Sequence, residues 1–312
     1  MTTQTRRRYV CNLSEKSLEK ARQELNEDPE TRDQKIDELR AKFAKEKPEV
    51  KLPPDDAFLV RFLRNKKFDV QRAYNMLLHY YEVRRKYKEI FVNYQPSLYR
   101  HIFETDMLTI CPGQDKDGRT VMLFRAGKWD PDRYNIDAIF TACSMIYEKL
   151  LEDEELQVNG LVFVDDVEGT SVKQMTQFGP AAAQKSMDLS VNTVPVRFKA
   201  VHYIRQPDIF TAMFAVIKPL MSEKLMKRIH FHGKDYGTLH DHVPSSMLPP
   251  DFGGQLTNYN SQEWFEELCK EDRKFEEHNQ YGFPKAADVL GGVSQGVDPV
   301  GGLAGSFRKL ET

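Results

Sequence analysis

Four short apolar runs, at residues 120–124, 161–164, 198–204 and 228–232, alternate with segments of helical periodicity, and no other feature limits the fold as much. The run Leu161-Val-Phe-Val164 has no polar alternation, the pattern of a parallel strand buried on both faces. Asn159-Gly160 turns the chain just before it, and Asp117-Gly118 turns it before the run at 120–124. Between the runs, residues 137–151 place Ile139, Phe140, Cys143, Ile146, Tyr147 and Leu150 inward on a helix. Residues 172–190 are helical in pattern except at Gly179-Pro180, which should break them, and 208–220 form a third helical segment. Such alternation predicts an α/β sheet covered by helices.

Residues 14–91 read differently. Glu, Lys, Arg and Ala dominate 14–48, with Leu18, Leu25, Ile36, Leu39 and Phe43 at helical spacing, so two charged amphipathic helices are expected. Pro48, Pro53 and Pro54 interrupt them. Asp55 or Asp56 then caps a helix carrying Phe58, Leu59, Phe62 and Leu63, and Asp69 caps another running to about residue 91. The expected organisation is a loose segment at 1–13, a helical domain at 14–91, an α/β domain at 92–281 and a Gly-rich tail at 282–312.

Composition narrows the functions. Lys and Arg total 45 against 47 Asp and Glu, which argues against a general nucleic-acid binder. No uncharged stretch exceeds about a dozen residues, short of the ~20 that a spanning helix needs. The start lacks the apolar run of a signal peptide, and Cys11, Cys111, Cys143 and Cys269 are scattered, so a cytoplasmic protein with reduced thiols is expected. Catalytic motifs are thin. Ala215-Val-Ile-Lys218 and Asp251-Phe-Gly253 look kinase-like but lack a Gly-rich loop and a catalytic loop. Asp115-x-Asp117-Gly118 is half a calcium loop without its Glu, and phosphate-cradle and nucleophile-elbow motifs are absent. His230-x-His232 and His240-x-His242 could supply imidazoles to a metal, but no Cys or carboxylate stands at a familiar zinc spacing. Hydrogen-bonded or solvent-facing histidines are expected there, with no metal and no cofactor.

Two features point to a ligand. In the segment 209–220, Ile209, Phe210, Met213, Phe214, Val216, Ile217 and Leu220 cover most of the helix circumference, where an ordinary surface helix has one apolar stripe. It reads either as a helix buried on both sides or as a lid with a membrane-facing outer surface. Cations also cluster: Lys and Arg exceed Asp and Glu by five over 195–235 and by four over 55–91. Arg197 and Lys199 alternate on a strand, and Lys224 and Arg228 share a helix face, a pattern suited to phosphorylated lipid head groups.

These residues carry a family resemblance. Phe62-Leu-Arg-Asn-Lys-Lys-Phe68, Trp129-Asp-Pro131, Asn159-Gly160, Ile217-Lys-Pro219, Ile229-His-x-His-Gly233 and Leu248-Pro-x-Asp-Phe-Gly-Gly254 resemble, in order and spacing over residues 14–256, the CRAL-TRIO lipid-transfer family. The chain is similar to the branch holding α-tocopherol transfer protein, cellular retinaldehyde-binding protein and the clavesins. Gly305-Ser-Phe-Arg-Lys-Leu310 resembles the ending of arthropod members.

The resemblance implies a helical N-terminal domain followed by a CRAL-TRIO α/β lipid-binding domain with a mobile gate helix. The implied pocket is lined by Phe140, Cys143, Tyr147, Leu161, Phe163, Asp165, Phe178, Leu189, Val194, Val196 and Val201, and closed by Ile209, Phe210, Met213, Phe214, Ile217 and Leu220. The phosphoinositide-binding positions of the tocopherol protein fall on Lys66, Arg197, Lys199, Lys224 and Arg228. Asp165 stands where the tocopherol protein has Phe and the retinaldehyde protein has Glu. A locally paired or solvated carboxylate and a hydrogen bond to a ligand hydroxyl are both open, which keeps a retinoid beside a tocopherol. The implied protein is a monomeric, non-enzymatic carrier acting reversibly at endosomal or other phosphoinositide-rich membranes. A phosphatidylinositol or other phospholipid carrier, and a lipid-dependent trafficking scaffold docking through its acidic helices, are the alternatives.

Overall fold

The computed structural model describes residues 5–284 apart from Asn192 and Asn258. The side chains of Ile209 and Met213 lie outside the described set, as do residues 285–312, which hold most of the expected tail.

α1 (Glu15–Leu25), α2 (Arg32–Glu46), α3 (Asp56–Asn65) and α4 (Val70–Lys86) form the N-terminal helical region. Side-chain oxygens start three of them: Ser14 accepts from the Ser17 amide, Asp55 from Ala57 and Asp69 from Arg72. Each satisfies a donor that has no intrahelical partner. α4 stops well short of residue 91, because Tyr87 leaves the helical region at φ −108°, ψ 52°, and a separate turn, Lys88–Phe91, follows. Ile36, Leu39 and Phe43 of α2 pack with Leu59, Phe62 and Leu63 of α3 and Leu77 of α4. α1 does not join that core; Ala21 and Leu25 pack on Val158 of the α/β region. Arg64, with no exposed surface, ties the two regions together. It donates to Glu27 at 2.8 and 2.9 Å, Gln157 at 2.8 Å and the Tyr9 hydroxyl at 2.6 Å. A buried guanidinium is tolerable here because each of its nitrogens has an acceptor.

β1 (Leu108–Ile110), β2 (Thr120–Arg125), β3 (Leu161–Asp166), β4 (Phe198–Ile204) and β5 (Ile229–Phe231) form one sheet in that order, β1 antiparallel to β2 and the rest parallel. β1 has no counterpart among the expected strands, since three residues are too few for a two-residue period to show. Central β3 is buried on both faces, as its unbroken apolar run predicts. Leu161 and Phe163 pack toward helix Ile136–Leu150, while Val162 and Val164 pack with Val121, Leu123, Ala200, Leu248 and Phe252. The segment 248–254 closes the second face. Asp251 accepts from Arg125 Nε at 2.6 Å, and a Cβ at Gly254 would stand 1.8 Å from the Leu248 carbonyl oxygen.

The helical segment at 172–190 divides where Gly179-Pro180 predicts, into Val172–Gln177 and Pro180–Leu189, with Pro180 in the first turn of the second. Helix Asp208–Ile217 starts after Pro207, so Asp208 lies in its first turn and is not the cap. Among the described residues no helix is long and apolar enough to cross a membrane.

Candidate ligand-binding site

A cavity of about 250 Å³ opens between helix Ile136–Leu150, the helices Val172–Gln177 and Pro180–Leu189, and the adjoining sheet face. Of the expected lining, Phe140, Cys143, Tyr147, Phe163, Asp165, Phe178, Leu189, Val201 and Ile217 reach it. Leu161, Val194 and Val196 do not: Leu161 begins β3 one pleat short of Phe163, Val194 and Val196 precede β4, and all three pack into the core behind the wall. Phe210 and Phe214 also miss the cavity. Four residues apart on one helical stripe, they turn to the sheet edge, with Phe210 4.9 Å from the Tyr203 ring and Phe214 5.1 Å from that of Phe231. Leu220 packs in the cluster of Met187 and Leu225. Ile209 and Met213, expected in the gate, have side chains outside the described set.

The wall holds residues the sequence reading missed, among them Phe124, Trp129, Met187, Phe198 and Tyr203. Tyr203 stands two residues after Val201, a signal that strand periodicity carries. Phe198 carries no such signal. β4 pairs Phe198 with Leu161 and Ala200 with Val162, so Lys199 is an extra residue, and this bulge brings Phe198 to the cavity face with Val201.

Asp165 is the acidic side chain in this wall. It has intermediate exposure and lines the cavity inside the fold. Its Oδ1 has no hydrogen-bond partner among the described residues. Burial, reinforced by the adjacent Asp166, pushes its pKa well above the ordinary carboxylate value. This shift favours the protonated carboxyl, the form that can donate a hydrogen bond. Burial likewise raises the Tyr147 and Tyr203 hydroxyls and lifts the Cys143 thiol to about 12, so none of these wall groups is charged.

The cations chosen from the sequence come together outside the cavity. Arg197 and Lys199 both reach Glu24, at 3.0 and 3.7 Å. Burial and then Arg197 lower the Lys199 pKa to about 8, against the opposing pull of Glu24. Burial and then Arg72 and Lys224 lower Lys66; burial and then Arg228 lower Lys224; burial and then Arg197 lower Arg228. The shared-helix argument fails for Arg228. The helix is only Glu223–Met226, and Arg228 leads into β5, where its guanidinium donates to the Phe198 carbonyl. Arg72 and Arg119 belong to the same field and were not singled out.

The four-histidine pattern is rearranged. His240 turns away, 3.3 Å from the Phe252 carbonyl and stacked on Tyr236. His202 of β4 takes its place beside His230, His232 and His242. His202 Nδ1 is 2.9 Å from His232 Nε2, and His232 Nδ1 is 2.9 Å from Thr238 Oγ1. Among the described residues no group of three or more His, Cys, Asp or Glu is arranged to hold a metal ion.

Known proteins share this architecture. A family model described as the CRAL/TRIO domain matches residues 104–254, and one described as a Pinta-like UBA domain matches residues 28–100. The chain is 38% identical over 283 residues to the alpha-tocopherol transfer protein-like protein of Homo sapiens, covering 91% of this chain and 83% of that one. The chain belongs to the CRAL-TRIO family. It is also 32% identical to clavesin-2 of Rattus norvegicus, over 93% of this chain and 88% of that one. The crystal structure of Sfh5 shares the fold at a TM-score of 0.51 and 16% identity, over 76% of this chain and 91% of that one. The CRAL-TRIO match holds the whole sheet and the segment 248–254, so the cavity lies within the matched region.

Proposed function

We propose that this CRAL-TRIO protein is a monomeric, non-enzymatic carrier that holds a tocopherol- or retinoid-sized lipid in the cavity and exchanges it at phosphoinositide-containing membranes. One observation carries the reading: the cavity is walled mainly by apolar side chains and holds a carboxyl whose Oδ1 has no partner among the described residues and whose pKa burial raises. Apolar burial supplies affinity at roughly 25 cal/mol per Å². Asp165 supplies selectivity by donating to an oxygen on the ligand.

Helix Asp208–Ile217 serves as the gate. Ile217 touches the cavity, while Thr211, Ala212 and Ala215 are exposed on the outer side. The cluster of Lys66, Arg197, Lys199, Lys224 and Arg228 receives the head group. An anion there offsets the mutual repulsion among these cations, and it biases the gate open only if it binds the open form more tightly. The protein works on the cytoplasmic side, reversibly, at endosomal or other phosphoinositide-rich membranes.

Lipid extraction and mass spectrometry of the purified protein test this. A small apolar lipid bearing an oxygen acceptor is the expected result. A phospholipid acyl signal would replace the reading with a phospholipid carrier. A Lys224→Glu/Arg228→Glu variant is expected to lose most of its transfer to phosphoinositide vesicles while keeping its bound lipid; unchanged transfer would contradict the membrane half.

A further inference from the structure

β4 and β5 form a two-faced ribbon. Val201 pairs with Ile229, His202 with His230 and Tyr203 with Phe231. Val201, Tyr203 and Ile229 look into the lipid cavity, and Phe231 packs against Phe214 of helix Asp208–Ile217. The intervening residues face the other way, where His202, His230 and His232 meet His242. Ring centroids lie 4.7 Å apart for His230 and His242, 4.8 Å for His202 and His230, and 5.0 Å for His202 and His242. His202 is buried at 1% exposure, while His242 is exposed and gives protons a way in. β5 is a three-residue edge strand, and its pairing with β4 runs from the Arg228 carbonyl, which accepts from the Val201 amide, to the Gly233 carbonyl, which accepts from the Arg205 amide.

We propose that this four-imidazole cluster is a proton-operated latch on the lipid cavity: proton uptake drives β5 from β4, which opens the cavity wall and strips helix Asp208–Ile217 of its aromatic seat. The release step deepens the carrier reading and rests on it; the proton-linked opening of the strand pair does not.

The electrostatics agree in sign. Burial, then His230, His232 and His242, lower His202 to about 3, and burial followed by His242 lowers both His230 and His232. Arg119, from the turn before β2, adds to the repulsion on His202, while Asp235 and Asp241, flanking the helix Tyr236–His240, partly offset it at His232. A folded value below the ordinary 6.5 means that the closed form binds fewer protons. The closed form therefore keeps its full advantage above pH 6.5 and loses it as the pH falls toward about 3. Between pH 7.5 and 5.0, releasing one such histidine to its ordinary value raises the open-to-closed ratio by about 30-fold.

Hydrogen exchange, corrected for intrinsic rate, tests the latch on the full chain at pH 7.5 and 5.0, alongside release of a fluorescent tocopherol to vesicles free of phosphoinositide. Protection of residues 201–204 and 229–231 is expected to fall at least tenfold on acidification while that of α2–α4 holds, with probe release rising in parallel. His202→Gln, which removes the most strongly lowered imidazole, should flatten both responses; His230→Gln/His242→Gln, which leaves His202 lowered by burial, should reduce them and is the second variant if His202→Gln folds poorly. An equal pH response in wild type and variants, or loosened strands without faster release, would overturn the proposal. If neither this probe nor retinol, which is itself fluorescent, binds at pH 7.5, the carrier reading is overturned, and the release step with it.

Discussion

Arg64 and Asp165 are both ionisable groups enclosed by protein, and the fold treats them oppositely. Arg64 sits between the helical region and the sheet with acceptors on all three nitrogens. Asp165 faces an apolar cavity with Oδ1 unpartnered among the described residues. A completed network of this kind gives two regions one fixed arrangement, whereas an incomplete one is an unfilled demand that a ligand can meet. The contrast separates structure from function more sharply than burial alone does.

Removing the completed site should have the largest effect. Arg64→Ala leaves Glu27, 2% exposed, with Arg32 as its remaining cation, and should cost about 3–5 kcal/mol in urea unfolding. A loss below about 1 kcal/mol would erase the distinction. Removing the incomplete site should do the reverse: Asp165→Leu is expected to raise the stability of the lipid-free protein by about 1–3 kcal/mol while weakening ligand selectivity.

The pH profile sharpens this second expectation. Because the carboxyl is raised above its ordinary 3.8, the folded protein keeps a proton that the unfolded chain gives up. That contribution is full below pH 3.8 and is lost as pH rises toward the elevated folded value, so wild type should lose stability over this range relative to Asp165→Asn. Smallest of all, Arg273→Ala breaks an exposed pair with Glu277 and should shift stability by no more than about 0.5 kcal/mol.

Much of this was legible beforehand, for identifiable reasons. The unbroken apolar run of β3, the caps at Ser14, Asp55 and Asp69, and the break at Gly179-Pro180 are local signals, and the local chain obeys them. Arg197, Lys199, Lys224 and Arg228 stood out because charge excess survives without knowledge of the fold, whereas Lys66 came only from the family resemblance. What escaped was tertiary. The bulge at Lys199 turns Phe198 inward, Phe210 and Phe214 choose the sheet edge over the cavity, and a lone His202 joins a cluster whose other members lie some 30 residues on. None of these leaves a periodic trace.

The direct measurement is infrared difference spectroscopy of the Asp165 carboxyl at pH 7 as lipid is removed and restored. A protonated-carboxyl band that shifts on loading and disappears in Asp165→Asn is the predicted result. An ionised carboxylate, or a protonated band indifferent to lipid, would contradict the claim that the ligand completes this site.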